Sequence, residues 1–313
     1  MNQGSRPAVQ DPTTASHEVL RAADGADIRY RRWEPDGEAR LAVQVVHGAA
    51  EHGGRYERFA RALVADGCAV YASDHRGHGL SRVRSGALGD AGPDAWNRFV
   101  EDELALSEII QRAHPKCPLV LFGHSMGSFI AQDYITRGCR LDGLILSGTA
   151  YGPPPPAELI DALDAAAAAA PLGPSQFWAE RFSEFNKAFS DKPGFDWLSR
   201  DPEEVRKYED DPLAGFSFSN ELVRDFFRGM AALRDPAREA CIPQSLPVLV
   251  IQGALDPVGA NLAGTRALID RYQALGLARV DYRFYEGARH ELLNETNRDD
   301  VVRDILDWLR QRF

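Results

Sequence analysis

Short apolar runs, each breaking off at a glycine or a small polar residue, recur along this chain and dictate what it can fold into. They read "LAVQVVHG" from Leu41, "CAVYASDH" from Cys68, "PLVLFGHS" from Pro118, "LDGLILSG" from Leu141, "LPVLVIQG" from Leu246 and "VDYRFYEG" from Val280. Runs this short and this apolar suit strands buried on both faces, as parallel strands are. Between most of them lie segments with helical periodicity, at residues 56–66, 96–113 and 260–275. A last helix is expected over 299–312, with Val302, Ile305, Leu306 and Leu309 on one face. Strands alternating with helices predict an α/β fold: a mostly parallel central sheet flanked by helices on both faces.

The alternation stops after residue 150. "YGPPPPAELIDALDAAAAAAPLGPSQFW" opens a stretch of about ninety residues with no strand-like run. Aromatics crowd it, among them Phe177, Trp178, Phe182, Phe185, Trp197, Phe226 and Phe227. The expected organisation is a disordered leader over 1–16, a core made of 17–150 and 241–313, and an inserted helical cap over 151–240. Most cap aromatics would glue the cap to the core. Some, with Met230 and Leu233, would wall an apolar tunnel.

Composition excludes several functions. The chain has 313 residues and a net charge of -10, which argues against a protein that neutralises nucleic-acid phosphates. Four cysteines, Cys68, Cys117, Cys139 and Cys241, show no C-x-x-C pair, so neither a disulfide framework nor a metal site is expected. Cys68, Cys117 and Cys241 lie beside apolar stretches and read as core residues. The N-terminal stretch lacks the apolar segment of a signal peptide, and no window reaches the roughly 18 apolar residues of a membrane span, so a cytoplasmic location is the default expectation.

The chemistry gathers where the runs end, which is the edge at which open α/β sheets hold ligands. "LVLF" leads into G-H-S-M-G, and after Gly127 the apolar spacing turns helical. The pentapeptide fits G-x-S-x-G, a strand–turn–helix corner that lifts a serine oxygen above the sheet; by itself it also fits a mere capping serine. Two later strand ends contribute "GALDPV" with Asp256 and "GARHELLNE" with His290. The order Ser125, Asp256, His290 is that of nucleophile, acid and base in this architecture. A serine hydroxyl needs a base to take its proton, histidine titrates near neutrality, and a buried carboxylate orients the imidazole. Two amide donors must meet the oxyanion, and the N–H groups of Ala49 and Met126 are the candidates. This chemistry requires no cofactor and no metal.

Seven other histidines compete with His290. His47, His52, His75, His78 and His124 are expected to brace loop backbones, and His17 and His114 to be exposed. Asp74 precedes the serine in sequence and reads as an anchor for the "DHRGHG" turn.

"HGAAEHGGRY", "SDHRGHGLS", "GHSMGS", "GALDPV" and "GARHELLNE" resemble monoacylglycerol lipases and bacterial lysophospholipases of the α/β-hydrolase superfamily. The resemblance covers about residues 42–312 and is dense in the core. It implies hydrolysis of single-chain lipid esters through an acyl-serine, with Ser125, Asp256 and His290 as the triad. It further implies that Glu51 and Arg55 organise the polar end of the site near the glycerol hydroxyls, although an ion pair that only braces the loop is the alternative. The partner implied is a lipid-derived small-molecule ester, with transient contact between cap and membrane surface. Two features depart from those lipases: Ser128 stands where another glycine is common, and the cap matches none of their stretches. The same scaffold also supports short-chain esterases, proline-iminopeptidase-like amidases and non-catalytic receptors. The acidic "PEEV" and "EDDP" segments suit an amidase that holds a substrate amine, whereas a receptor commonly loses a triad member.

Overall fold

The computed structural model describes residues 15–138 and 140–313. The apolar runs become strands: β3 (Leu41–Val46), β4 (Cys68–Ser73), β5 (Leu119–His124), β6 (Gly143–Ser147), β7 (Val248–Gly253) and β8 (Val280–Tyr285). Every residue of β3, β4, β5, β6 and β7 is buried, which explains why their sequences show no polar alternation. Two strands not expected from the sequence precede them, β1 (Ser16–Arg21) and β2 (Asp27–Trp33). Their signal is weak because the hairpin lies at the sheet edge. In β2, buried Ile28 and Tyr30 alternate with exposed Asp27 and Arg29, so no continuous apolar run forms. The eight strands form one sheet in the order β1-β2-β4-β3-β5-β6-β7-β8. β1, β2 and β4 pair antiparallel, and every other pairing is parallel.

Helices cover both faces. Along β5, Val120 and Phe122 join a core that includes Phe59 and Leu63 of α1 (Glu57–Ala65) and Ile305 and Leu309 of α10 (Arg298–Arg312). Leu121, between them, turns to the opposite core with Phe99 of α2 (Ala95–Ala113), Ile130 of α3 (Met126–Tyr134) and Leu268 of α9 (Ala263–Ala274). Between β6 and β7 the described chain forms helices and loops: α4 (Ala157–Ala169), α5 (Gln176–Asn186), α6 (Pro202–Asp210), α7 (Asn220–Ala232) and the single turn α8 (Pro236–Glu239). Four of these begin after Asp or Ser caps, Ser175, Asp201, Ser219 and Asp235, whose side chains accept from first-turn amides.

Most of the expected leader lies outside the described residues, but Ser16 already pairs with Arg32 in the edge hairpin. Cys241 is exposed and Cys117 half-buried, so only Cys68 is a core residue as expected; Cys139 lies outside the described residues. His114 is half-buried rather than exposed, 3.0 Å from the Tyr71 hydroxyl. Asp74 anchors its turn: its carboxylate accepts from Gly53 N and Leu80 N and pairs with Arg31. Among the described residues no helix is long and apolar enough to cross a membrane.

Candidate active site

The corner after β5 is built for one residue. Ser125 sits at φ 52° and ψ −122°, a left-handed conformation that costs a non-glycine residue of order 1–3 kcal/mol. Its neighbours explain how the turn closes. A Cβ at Gly127 would lie 2.0 Å from Val46 O, and one at Gly123 would lie 2.6 Å from Gly127 O. The strained serine is pinned by its own N–H, which donates to Ser147 O at 2.9 Å. Ser128 adds a second pin, for its hydroxyl donates to Ser125 O at 2.6 Å. The serine found in place of a further glycine is therefore a brace for the corner.

The other two expected residues meet at the same sheet edge. His290 Nδ1 lies 2.8 Å from Asp256 Oδ2, and both side chains are buried. Asp256 is held in turn by Val258 N at 2.9 Å and by the Gln252 amide at 2.5 Å. Gln252 also accepts from Thr149 N, so β7 and the loop after β6 fix the carboxylate jointly. The His290 ring lies 4.8 Å from the ring of Trp197, from the chain between β6 and β7, and 4.7 Å from that of His124. Burial, reinforced by the facing His290, pushes His124 down to about 4, so it stays neutral at physiological pH and puts no charge against His290. His47, His75 and His78 bond loop backbone, as their positions suggested. His52 does so as well and also reaches Asp211, which follows α6.

Ala49 and Met126 face the same cavity as Ser125, and among the described residues neither N–H has a protein acceptor. The loop carrying Ala49 is stiffened by buried charge. Glu51 accepts from Gly48 N at 2.5 Å and from the Tyr56 hydroxyl at 2.8 Å. Arg55 donates to Glu51 at 2.6 Å and, through two nitrogens, to Glu291 at 2.6 and 2.7 Å. The Arg55 guanidinium also lies 4.7 Å from the Tyr208 ring centroid. Burial would raise the Glu291 pKa, but the Arg55 charge overrides it and holds the carboxyl at about 2. Glu51 and Arg55 thus turn toward Glu291, lining a cleft of about 20 Å³ and not the cavity that Ser125 lines. Buried charges must find partners, and these find one another. Glu291 was missed in the sequence although it directly follows His290, because nothing local reveals that it returns to Arg55. Gln252 and Tyr208 carried no signal at all.

The cavity above Ser125 has a volume of about 660 Å³. Its walls include Trp178, Phe182, Phe185, Trp197, Phe226, Phe227 and Met230 from the helical stretch between β6 and β7, together with the prolines at 153–156. Leu233, expected to join them, is buried in the core instead. Phe195 and Phe216 line a separate cavity of about 280 Å³. Phe218 stacks on Trp178 at 4.2 Å behind the wall.

Comparison with known proteins agrees with this geometry. The Hydrolase_4 family, described as serine aminopeptidase, S33, matches residues 37–297. The monoacylglycerol lipase of Mycolicibacterium smegmatis is 32% identical over 305 residues, covering 95% of this chain and 98% of its own. The human monoglyceride lipase is 30% identical over 303 residues, covering 93% and 89%. Among solved structures, a thermostable carboxyl esterase from Bacillus coagulans in complex with glycerol superposes with a TM-score of 0.86 at 29% identity, covering 96% of this chain and 99% of that one. The chain belongs to the Hydrolase_4 (serine aminopeptidase, S33) family of α/β-hydrolases and is a carboxylic ester hydrolase.

Proposed function

We propose that this enzyme cleaves monoacylglycerols, or lysophospholipid-type single-chain esters, through an acyl-serine formed on Ser125. The observation that carries the reading is a strained serine opening into an apolar cavity of about 660 Å³, with an Asp256–His290 pair at the same sheet edge. A cavity of that size and lining suits an acyl chain, each buried methylene of which contributes about 0.8 kcal/mol. The relatives named for monoacylglycerol cleavage point to glycerol as the alcohol.

In this mechanism His290 takes the Ser125 proton as the oxygen attacks the ester carbonyl. Asp256 holds the imidazole by Nδ1 and stabilises the imidazolium. The carbonyl oxygen, now negative, is met by the N–H groups of Ala49 and Met126. Collapse returns the proton from His290 to the departing alcohol. Water, deprotonated by His290, then attacks the acyl-serine and releases the fatty acid. Glu51 and Arg55 act as a brace: they bond Gly48 to the loop that bears His290 and so hold oxyanion loop and base in one frame. Residues 151–240 serve as the cap that walls the acyl site.

The Ser125→Ala variant tests this. It should lose hydrolysis of a monoacylglycerol by about 10⁴-fold or more and lose fluorophosphonate labelling, with its unfolding midpoint intact. Labelling or turnover that survives the substitution would place the nucleophile elsewhere.

A further inference from the structure

The wall of the Ser125 cavity is apolar except in one respect: its charged lining residues are two arginines, Arg181 and Arg234, and no carboxylate. This is unexpected in a chain of net charge -10. Arg181 has a partner, donating to Glu184 at 3.1 Å, and its side chain is 45% exposed. Arg234 differs. Its Nε donates to Gly152 O at 2.8 Å, and its guanidinium lies 4.0 Å from the Tyr151 ring centroid. Among the described residues it pairs with no carboxylate, and neither of its two terminal nitrogens has an acceptor. The acid in its neighbourhood, Glu239, bonds Arg271 and Tyr151 instead.

Half-buried beside an apolar cavity, this guanidinium carries a desolvation cost that the charge of Glu239, bonded elsewhere, offsets only in part, and burial pulls its pKa below the usual value. A guanidinium nevertheless stays protonated at neutral pH, so the charge persists. Its Nε bond and ring contact position the head, and its two terminal nitrogens, which have no acceptor among the described residues, form the fork that pairs with a carboxylate or phosphate.

We propose that Arg234 forms an oxyanion subsite in the substrate cavity, and that the enzyme accepts single-chain esters carrying a carboxylate or phosphate away from the scissile carbonyl. The inference rests on the ester-hydrolase reading of Ser125 and adds to it the charge of the ligand. Two sources share this chemistry: an acyl chain ending in a carboxylate, and an alcohol bearing a phosphate.

Paired substrates separate them. One pair is p-nitrophenyl octanoate and the mono-p-nitrophenyl ester of octanedioate; the other is a monoacylglycerol and the lysophosphatidate of the same acyl chain. In the wild type, the anionic member of one pair should be cleaved with a kcat/KM at least equal to that of its neutral partner. Ratios far below one in both pairs would overturn the proposal, because an apolar cavity without a recruited cation rejects charge. Arg234→Gln should lower the favourable ratio by about tenfold or more, as loss of a charged hydrogen bond does. Arg234→Met, which keeps an apolar stem without the fork, should do the same, and Arg234→Lys, which keeps the charge, should restore part of it. Arg303→Gln, an exposed substitution on α10 outside the cavity lining, should leave it unchanged. Equal losses on neutral and anionic substrates would make Arg234 a brace for the Tyr151 loop and refute the subsite. If the wild type cleaves none of the neutral esters, the ester-hydrolase assignment fails; if it cleaves them and the ratios ignore Arg234, only this inference fails.

Discussion

The proposed cap has two parts that are attached in opposite ways. Residues 195–215, which include α6, are bonded directly to the loops that carry the site. Tyr208 donates its hydroxyl to Ala50 O at 3.0 Å, and Gly215 N donates to the same oxygen at 2.9 Å. Asp211 lies 2.9 Å from His52, and Glu204 pairs with Arg58 at 3.0 Å. On the other side, Glu291 N donates to Leu198 O at 2.7 Å and the Arg289 guanidinium reaches Asp196 O and Ser199 O. By contrast, the polar contacts found for α4 and α5 stay within the cap, as in the Arg228–Asp164 pair between α7 and α4. The two helices are held chiefly by apolar contact, α4 against α7 and α5 through Trp178 and Phe182, with Asn186 at the end of α5 accepting from Trp197 N at 3.1 Å. One part of the cap therefore belongs mechanically to the active site, and the other lies over it. Segments with few anchoring polar bonds open at lower free energy, so amide hydrogens of α4 and α5 should exchange before those of α6.

The hardest blow to the anchored part is Arg55→Ala. It leaves Glu51 and Glu291 buried and facing each other without a cation, and breaking such a group by removing one member costs about 3–5 kcal/mol. Denaturant unfolding should register that loss. Turnover should fall alike on a monoacylglycerol and on a p-nitrophenyl ester of the same chain, because the loop bearing Ala49 loses its frame. A rise in KM confined to the monoacylglycerol would instead return Arg55 to the glycerol end of the substrate and break the comparison.

The unanchored part should respond differently. Phe185 of α5 lines the cavity and is half-buried. Phe185→Ala should remove contact equivalent to one or two methylenes, about 1–2 kcal/mol, from long-chain esters only. The measured slope of kcat/KM against acyl length should flatten while the unfolding midpoint stays near that of the wild type. A large loss of stability would mean that α5 is as firmly built in as α6. The smallest effect is expected for Tyr208→Phe, which deletes one hydrogen bond to Ala50 O and should cost about 1 kcal/mol, with a modest fall in turnover on every ester. No change in either would show that Gly215 N alone secures the loop.

Much of this could be read from residues close together in the chain. The strands β3 to β7 declare themselves because full burial demands uninterrupted apolar side chains, and G-H-S-M-G declares a corner because two of its positions tolerate no Cβ. The edge hairpin β1–β2 escaped notice since an edge strand mixes charged and apolar side chains; Arg31, for example, is buried only because Asp74 waits for it.

What the sequence determined, then, is whatever depends on local sterics and burial: a parallel sheet, a serine at a tight turn, and acidic and histidine residues at later strand ends. What only the tertiary structure decided is whatever depends on which distant groups meet. Arg55 and Glu291 are 236 positions apart, and their pairing turns an expected substrate contact inward. Leu233 and Met230 lie on the same stretch of chain, yet packing sends the first into the core and the second into the cavity wall. Arg234 shows the same limit from the other side. A sequence displays its charge, but only the fold reveals that no acid comes to meet it, because pairing is a property of the assembled surface and not of the segment.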